Sequence, residues 1–528
     1  MLESFIATIS AWLPTLLIAV PLLGAAILYC IPSAKSGLAK SVTYLFLLIE
    51  FALGMHAVRY FNPDISHFQF SQLYSWFPAE YGINIVLGFD GLSLLLVIIT
   101  TVLFPLIIIG QQRSDDAGQS RFLGHCLALQ GTFLGAILSL DIVLFYVFWE
   151  AMLIPALFML GIWGNAQRGA AALRFFIFTA VGSLLMLVAF AMLYYYSSQD
   201  SGNASANITD LYNAVKSIPA DTKYWMFGAL TLAFAIKTPL FPFHSWQPTT
   251  YRESSQTAVT LFAAILSKAG LYGILRFSFG LFPEAAKEWA TVFIALSLIG
   301  IIYGAFIAWK KTTLRGVLAY SSLSHLGFIF LGFFLFRESG YTGGLFQIFN
   351  HAVVTAGLFI LVSHIERTYG TSEMNKLGGI AKSMPAFATF FVIVVMGSVA
   401  VPGTGSFIGE WLILFTALQK NVIWAFVAGL GVIFGAAYML RVVYYVIWGP
   451  ASKESMEKSQ AMGIGAAVSL ALISVAIIGT GFGSRALLDH SYESVTRLTN
   501  SIEKNEPYGA RLRNSERKFI DPTAVGNE

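Results

Sequence analysis

The chain has 528 residues, of which 56% are hydrophobic and 11% charged, with a formal net charge of +4 at neutral pH. Soluble domains carry about 25% charged residues, so an ordinary water-soluble protein is excluded. No basic patch interleaved with aromatics points to nucleic acid, and the small net charge names no partner.

A spanning helix needs about 20 mostly apolar residues, and this ruler places about fourteen spans along the chain. They run over 11–31, 41–60, 89–110, 122–140, 142–163, 174–197, 224–247, 256–278, 287–309, 315–337, 341–365, 385–418, 422–448 and 461–482. Runs such as Leu96-Val97-Ile98-Ile99 do not alternate as barrel strands do. The first apolar run lacks a basic leader and a cleavage site and reads as a retained helix. Cys30 and Cys126 fall in separate spans and read as buried small residues rather than a disulfide.

Two spans are abnormal. The seventh carries Pro239 and Pro242, with Pro248 just beyond; the twelfth is too long for one crossing and contains Pro402-Gly403-Thr404-Gly405. Such residues free backbone groups that hydrocarbon cannot satisfy, so breaks survive only inside a bundle or beside water. The breaks lie five helices apart, and each carries one charge, Lys237 or Glu410. Paired interruptions at matching positions point to inverted repeats.

The expected fold is therefore all-α: a polytopic membrane protein of about 14 transmembrane helices, with two inverted five-helix repeats and broken helices 7 and 12. Residues 1–121 form three helices and their loops, 122–278 a first half-channel repeat, and 287–448 a second. Residues 449–528 hold the last span and a polar tail that reads as a loose surface segment beyond about residue 487. Loops after odd-numbered spans hold most of the Lys and Arg, including Lys35, Arg113, Arg168, Arg252, Lys310, Lys311 and Arg367. The positive-inside rule then puts both termini on the outer, periplasmic side of a bacterial inner membrane.

Charges at bilayer depth cost about 2.5–3.5 kcal/mol on insertion scales, so they are rarely there without a task. Glu150, in Phe148-Trp149-Glu150-Ala151, has no charged neighbour in its own segment and must be protonated or paired. Lys237 stands immediately before the first break, where a Glu150–Lys237 contact that opens and closes would set the proton affinity of the amine. The competing reading is a structural buried ion pair, a weak stabiliser for which apolar packing substitutes well. Lys268 lies near the middle of its span, too far from either end to snorkel comfortably. His325 and His351, on consecutive spans, suit proton relay because histidine titrates near neutrality; a lone membrane histidine is otherwise a hydrogen-bonder between helices. His244, after Pro242, is nearer the membrane edge and secondary. Glu410 closes the row, with Gly409 letting a neighbour approach its carboxylate. Asp90 reads as a helix N-cap, and Arg174 and Arg441 as residues near helix ends. No Cys/His cluster, dinucleotide-binding glycine pattern or phosphate loop suggests a cofactor on this chain.

At these residues the chain resembles the antiporter-like subunits of respiratory complex I (NADH:quinone oxidoreductase), most of all the M-type subunit of bacteria. The resemblance rests on Phe89-Asp90-Gly91-Leu92-Ser93, Phe148-Trp149-Glu150 with Pro155, and Lys237-Thr238-Pro239 followed by Pro242, His244 and Trp246. It continues through Lys268, Tyr272-Gly273, Arg276, Ala319-Tyr320-Ser321-Ser322, His325 and Pro402-Gly403-Thr404-Gly405 to Gly409-Glu410. Glutamate at 410, where L- and N-type subunits and multisubunit cation/proton antiporters generally carry lysine, decides for the M-type. Where the family usually shows Leu-Pro-Asp-Ala-His and Ala-Pro-Thr, this chain has Gln247-Pro248-Thr249-Thr250-Tyr251 and Ser254-Ser255-Gln256.

The resemblance implies a membrane-arm subunit that translocates protons while partner subunits, carrying flavin, iron–sulfur clusters and quinone, transfer electrons from NADH. It implies loading at Lys237 under control of Glu150, passage to Lys268, and travel past His325 and His351 to release at Glu410. The implied partners are other complex I membrane subunits, neighbouring antiporter-like subunits above all, within the lipid bilayer. A cation/proton antiporter, a membrane-bound hydrogenase or an inorganic-carbon uptake complex would use the same module.

Overall fold

The structure, a computed structural model, describes residues 2–32, 35–111, 118–450 and 459–509. The chain opens with two long helices, α1 (Leu2–Cys30) and α2 (Ser36–Tyr60). A small antiparallel hairpin follows, β1 (Gln69–Ser75) on β2 (Asn84–Phe89), with Leu73 opposite Val86. This hairpin, absent from the all-α expectation, caps the bundle outside the spans. Asp90 ends it and caps α3 (Gly91–Gly110), its carboxylate accepting from the backbone of Leu92 and Ser93.

After α4 (Gln119–Leu138) the fifth expected span is split into α5 (Ile142–Ala151) and α6 (Leu153–Trp163). Pro155 has no N–H and its ring crowds the carbonyl of Ala151 four residues back, so the helix breaks at Met152. Glu150 therefore sits two residues before a kink. Next come α7 (Arg168–Ser201), the short α8 (Ile208–Ala214) and α9 (Ala220–Lys237), which stops at Lys237 because Pro239 follows. The chain resumes as α10 (Gln247–Glu253) and α11 (Gln256–Leu261). Wide π turns at Phe262–Leu266 and Ile274–Phe279 then flank α12 (Lys268–Gly273).

The second half runs through α13 (Pro283–Lys310), α14 (Leu314–Phe334), α15 (Glu338–Tyr369) and the short α16 (Ile380–Ser383). The twelfth expected span is two pieces, α17 (Pro385–Ser398) and α18 (Gly405–Lys420), before α19 (Val422–Val443). One more spanning helix covers Ile464–Phe482. By length and composition, 12 helices among the described residues are apolar and long enough to cross a membrane. The shortfall from the expected fourteen falls on the two broken spans, whose pieces are too short or too polar to qualify. Burial ranks the spans: Gln256–Phe279 is 100% enclosed and Glu338–Tyr369 94%, whereas Val422–Trp448 is 22%. The helices that carry Lys268 and His351 are thus the centre of the bundle.

The polar tail is not loose over its first part. Arg485–Lys504 forms an amphipathic helix that buries Val495, Leu498 and Ile502 against the bundle. Ser494 accepts from the N–H of Gly91 at 3.1 Å. A Cβ on Gly91 would lie 2.2 Å from the carbonyl of His490, so only glycine lets the helix lie this close. Beyond the helix, Tyr508 donates to Asp90 at 3.0 Å, and Asp90 also pairs with Arg276 at 2.5 Å, both charges sealed from solvent. Burial, then the neighbouring carboxylate, push the Tyr508 phenol well up, which keeps it a donor. The sequence expectation missed this packing because the apolar stripe is narrow and its counterpart lies some four hundred residues earlier. Residues 510–528 lie outside the described residues.

Asp90→Asn or Arg276→Leu alone leaves one uncompensated buried charge and should cost about 3–5 kcal/mol. The double variant should recover much of that loss, as read from thermal unfolding of the purified assembly.

Candidate functional site

Two groups of titratable side chains occupy the interior, one at each break. At the first, backbone groups left by the interruption are taken up locally. The N–H of Leu240 reaches the carbonyl of Ala235 at 2.8 Å, Thr238 Oγ1 donates to Phe234 at 2.9 Å, and Trp246 Nε1 donates to Ile236 at 2.9 Å. The indole of Trp246 therefore staples the chain after the break to the helix before it. Lys237 is 3% exposed, and its ammonium lies 5.1 Å from the ring centroid of Trp149, a cation–π contact. Glu150, next to Trp149 in sequence, is half-buried, and its Oε1 is buried without a hydrogen-bond partner. No Glu150–Lys237 ion pair is present among the described residues: the expected contact is open, and the cation rests on the aromatic ring instead.

The central group begins at Lys268. The π turn before it offers the carbonyl of Ala263, which accepts from Ser267 Oγ at 2.9 Å and from Lys268 Nζ at 2.7 Å. The same ammonium lies 2.8 Å from His351 Nδ1. With the lysine charged, that ring nitrogen is the acceptor and the proton of neutral His351 sits on Nε2. Nε2 faces Ser322 Oγ at 3.2 Å and Thr355 Oγ1 at 3.5 Å. The His351 and His325 rings are 6.0 Å apart, centroid to centroid. A cavity of about 20 Å³, lined in part by Ser322, His325, Gln347, His351 and Thr355, lies among them. That is room for one water with several polar partners.

His325 Nδ1 meets Glu410 Oε1 at 3.0 Å, and Gln347 Nε2 donates to the same oxygen at 3.1 Å. Gly409 makes this approach possible. A Cβ there would stand 2.6 Å from Gln347 Oε1 and 3.3 Å from the Gln347 backbone nitrogen.

The structure thus joins Lys268, His351, His325 and Glu410 in one row, while Lys237 and Glu150 form a separate group at the first break, the amine on Trp149. His244 is buried, stacked on Phe241 at 5.6 Å and edge-on to Tyr303 at 5.3 Å between ring centroids, with Nδ1 lacking a partner. No hydrogen bond among the described residues ties it to the row.

Sequence reading passed over Ser322, Gln347 and Thr355. Gln347, His351 and Thr355 recur every fourth residue on α15, one polar stripe in an apolar helix, and that spacing was the available signal. It also passed over Glu50, fully buried on α2 with neither carboxylate oxygen hydrogen-bonded among the described residues, none of which links it to the row. The atypical loop is ordered. Arg315 Nη1 donates to the carbonyls of Ser254 and Tyr251 at 2.6 and 3.1 Å, and its other nitrogens pair with both oxygens of Glu366, each at 2.6 Å. Of the arginines read as lying near helix ends, Arg174 donates to Thr249 at 3.2 Å and Arg441 to the carbonyl of Trp309.

The family described as NADH:quinone oxidoreductase/Mrp antiporter, transmembrane, matches residues 139–435, a stretch that takes in every position of the row from Glu150 to Glu410. The chain belongs to this family. NADH-quinone oxidoreductase subunit M of Rickettsia prowazekii (strain Madrid E) is 34% identical over 465 residues, covering 88% of this chain and 91% of that protein. A chain of respiratory complex I from Thermus thermophilus with bound NADH superposes with a TM-score of 0.78 at 30% identity, over 92% of this chain and 99% of that one. A chain of the Mrp complex from Dietzia sp. DQ12-45-1b reaches 0.82 at 22% identity, over 95% and 100%, a likeness of fold alone. The resemblance to the M-type subunit read from Glu410 holds.

Gly409→Val should force α18 away from α15 at Gln347. Overpacking of this kind costs about 1–3 kcal/mol. Thermal unfolding should report that loss, and proton translocation should fall with it as Glu410 is drawn from His325.

Proposed function

We infer that the interior row is the proton path by which this chain, a membrane-arm subunit of an NADH:quinone oxidoreductase, translocates protons. The observation that carries the reading is the near-continuous line Lys268–His351–His325–Glu410, with its two direct contacts at 2.8 and 3.0 Å and its first three members on the most enclosed spans.

An imidazole relays by taking a proton on one nitrogen and giving up the one on the other. His351 is set for this: Nδ1 faces the lysine that delivers, and Nε2 faces hydroxyls and a water-sized cavity leading toward His325. His325 then hands on to Glu410, the release group, which Gln347 holds in place. Lys237 is the loading site. Its ammonium moves between the Trp149 ring and the Glu150 carboxylate, and this movement sets its hold on the proton.

Moving one charge against the membrane potential costs about 2.3 kcal/mol per 100 mV, so the relay needs an outside source of energy. No group on this chain is assigned that role. Electron transfer through flavin, iron–sulfur clusters and quinone in partner subunits supplies it, and neighbouring antiporter-like subunits transmit it. The excess of Lys and Arg in loops after odd-numbered spans supports both termini on the outer side of a bacterial inner membrane.

In the intact assembly, Lys237→Ala, Glu150→Ala and Lys268→Met should each lower the number of protons moved per electron while the complex remains assembled. Vesicles holding these variants and pumping at the normal ratio would show the row to be structural.

A further inference from the structure

The row explains how a proton crosses the centre and leaves; a second polar feature bears on how protons arrive. Where α3 ends and α4 and α11 begin, all on one side of the bundle, another cavity of about 20 Å³ lies between Lys40, Tyr44, Gln111, Gln119 and Thr257. It has room for one water. The side-chain oxygens of Gln111 and Gln119 are buried there without hydrogen-bond partners, and the two residues are 3% and 5% exposed. Buried amide oxygens in that condition call for water, since leaving each unmet costs about 1–3 kcal/mol.

The same Gln111 reaches inward. Its Nε2 donates to Thr260 Oγ1 at 2.9 Å and to the carbonyl of Phe359 at 3.1 Å. Phe359 also lines the central cavity, which Thr355, one turn earlier on α15, shares with His351, Ser322 and His325. One amide therefore spans the wall between two water-sized cavities: Oε1 on the vestibule side, Nε2 on Phe359. The vestibule lies at the helix ends that meet the loops after odd-numbered spans, where Lys and Arg are most frequent, the side that the positive-inside rule makes cytoplasmic.

We propose that Gln111 is the positioning residue of a proton-uptake path at the junction of α3, α4, α11 and α15, delivering protons to His351 directly. Water is the carrier on both sides of the amide. Rotation of Gln111 about its side chain breaks the bond to Phe359 and joins the two waters; its return closes the wall. On this path Lys237 need not be the loading site for every proton, and the Glu150–Lys237 pair acts as a control on the row. The proposal rests on the relay described above.

The test compares three variants in the intact assembly reconstituted into vesicles, reading protons moved per electron. Gln111→Leu should lower that ratio two-fold or more, and Gln111→Glu, which keeps an acceptor and can carry a proton, should recover at least half of the loss. Packing alone would not give that rescue by a charged side chain. Should Gln111→Leu fail to assemble, Gln119→Leu, which dries the vestibule without touching the amide, is expected to lower the ratio two-fold or more. A low ratio for Lys268→Met with normal ratios for Gln111→Leu and Gln119→Leu overturns the path and leaves the relay standing. A normal ratio for Lys268→Met overturns the relay itself.

Discussion

Hydrocarbon offers no hydrogen bonds, and every feature of this molecule that matters follows from that one constraint. A polar group inside the bilayer must find its partner in the protein or in a trapped water. Unbroken helices meet the demand by themselves, and the outer spans do so. At three interruptions a charged or titratable residue stands beside the gap: Lys237 at the end of α9, Lys268 at the π turn after Leu261, Glu410 in the second turn of α18. Breaks and charges coincide because each solves the other's problem. The break releases carbonyls that a buried ammonium needs, as Ala263 does for Lys268. The charge in turn gives the interrupted backbone polar company that lipid would deny it.

The same constraint explains why Lys268, His351 and His325 sit on the most enclosed spans. A histidine or lysine on a lipid-facing span would have to snorkel to water. On α12 and α15 it meets only other protein groups, so its partners are restricted to a few named atoms: Ser267, Ala263, His351, Ser322. Restriction of that kind is what distinguishes a wire from a wet surface. The two small cavities beside Gln347 and Gln111 each have room for about one water. The buried Asp90–Arg276 pair, far from this line in role, obeys the same rule by recruiting Tyr508 from the end of the chain to complete its shell.

Much of this was legible in the residues. Span positions, both broken helices and the six candidate residues were readable, because charges and Pro-Gly clusters stand out against an apolar background; the structure lines up four of the six, Lys268, His351, His325 and Glu410. What could not be read were relations rather than members. Glu150 and Lys237 invite a drawn ion pair, yet side-chain distance depends on the kink at Met152, and the cation chooses Trp149. Gln347 and Gln111 escaped because a neutral amide carries no strong signal, and its importance lies in which helix it faces. The terminal helix escaped for another reason: its apolar face is only three or four residues wide and its partner is the first turn of α3.

That open Glu150–Lys237 geometry carries a last physical point. A cation on an aromatic ring is worth about 0.5–2 kcal/mol, and more as water is removed. A buried ion pair is worth little more once desolvation is charged against it. For the proposed loading amine, the Trp149 ring and the Glu150 carboxylate, neighbours in sequence, are therefore two resting places of similar energy. A switch of this design needs only a small push to change state, and the push reverses as easily. A deep, permanent ion pair would hold its proton too well to pass it on; a lysine with no carboxylate in reach would hold one less firmly. Trp149 beside Glu150 places the amine between those failures, at the point where the first break of the fold leaves room for it to move.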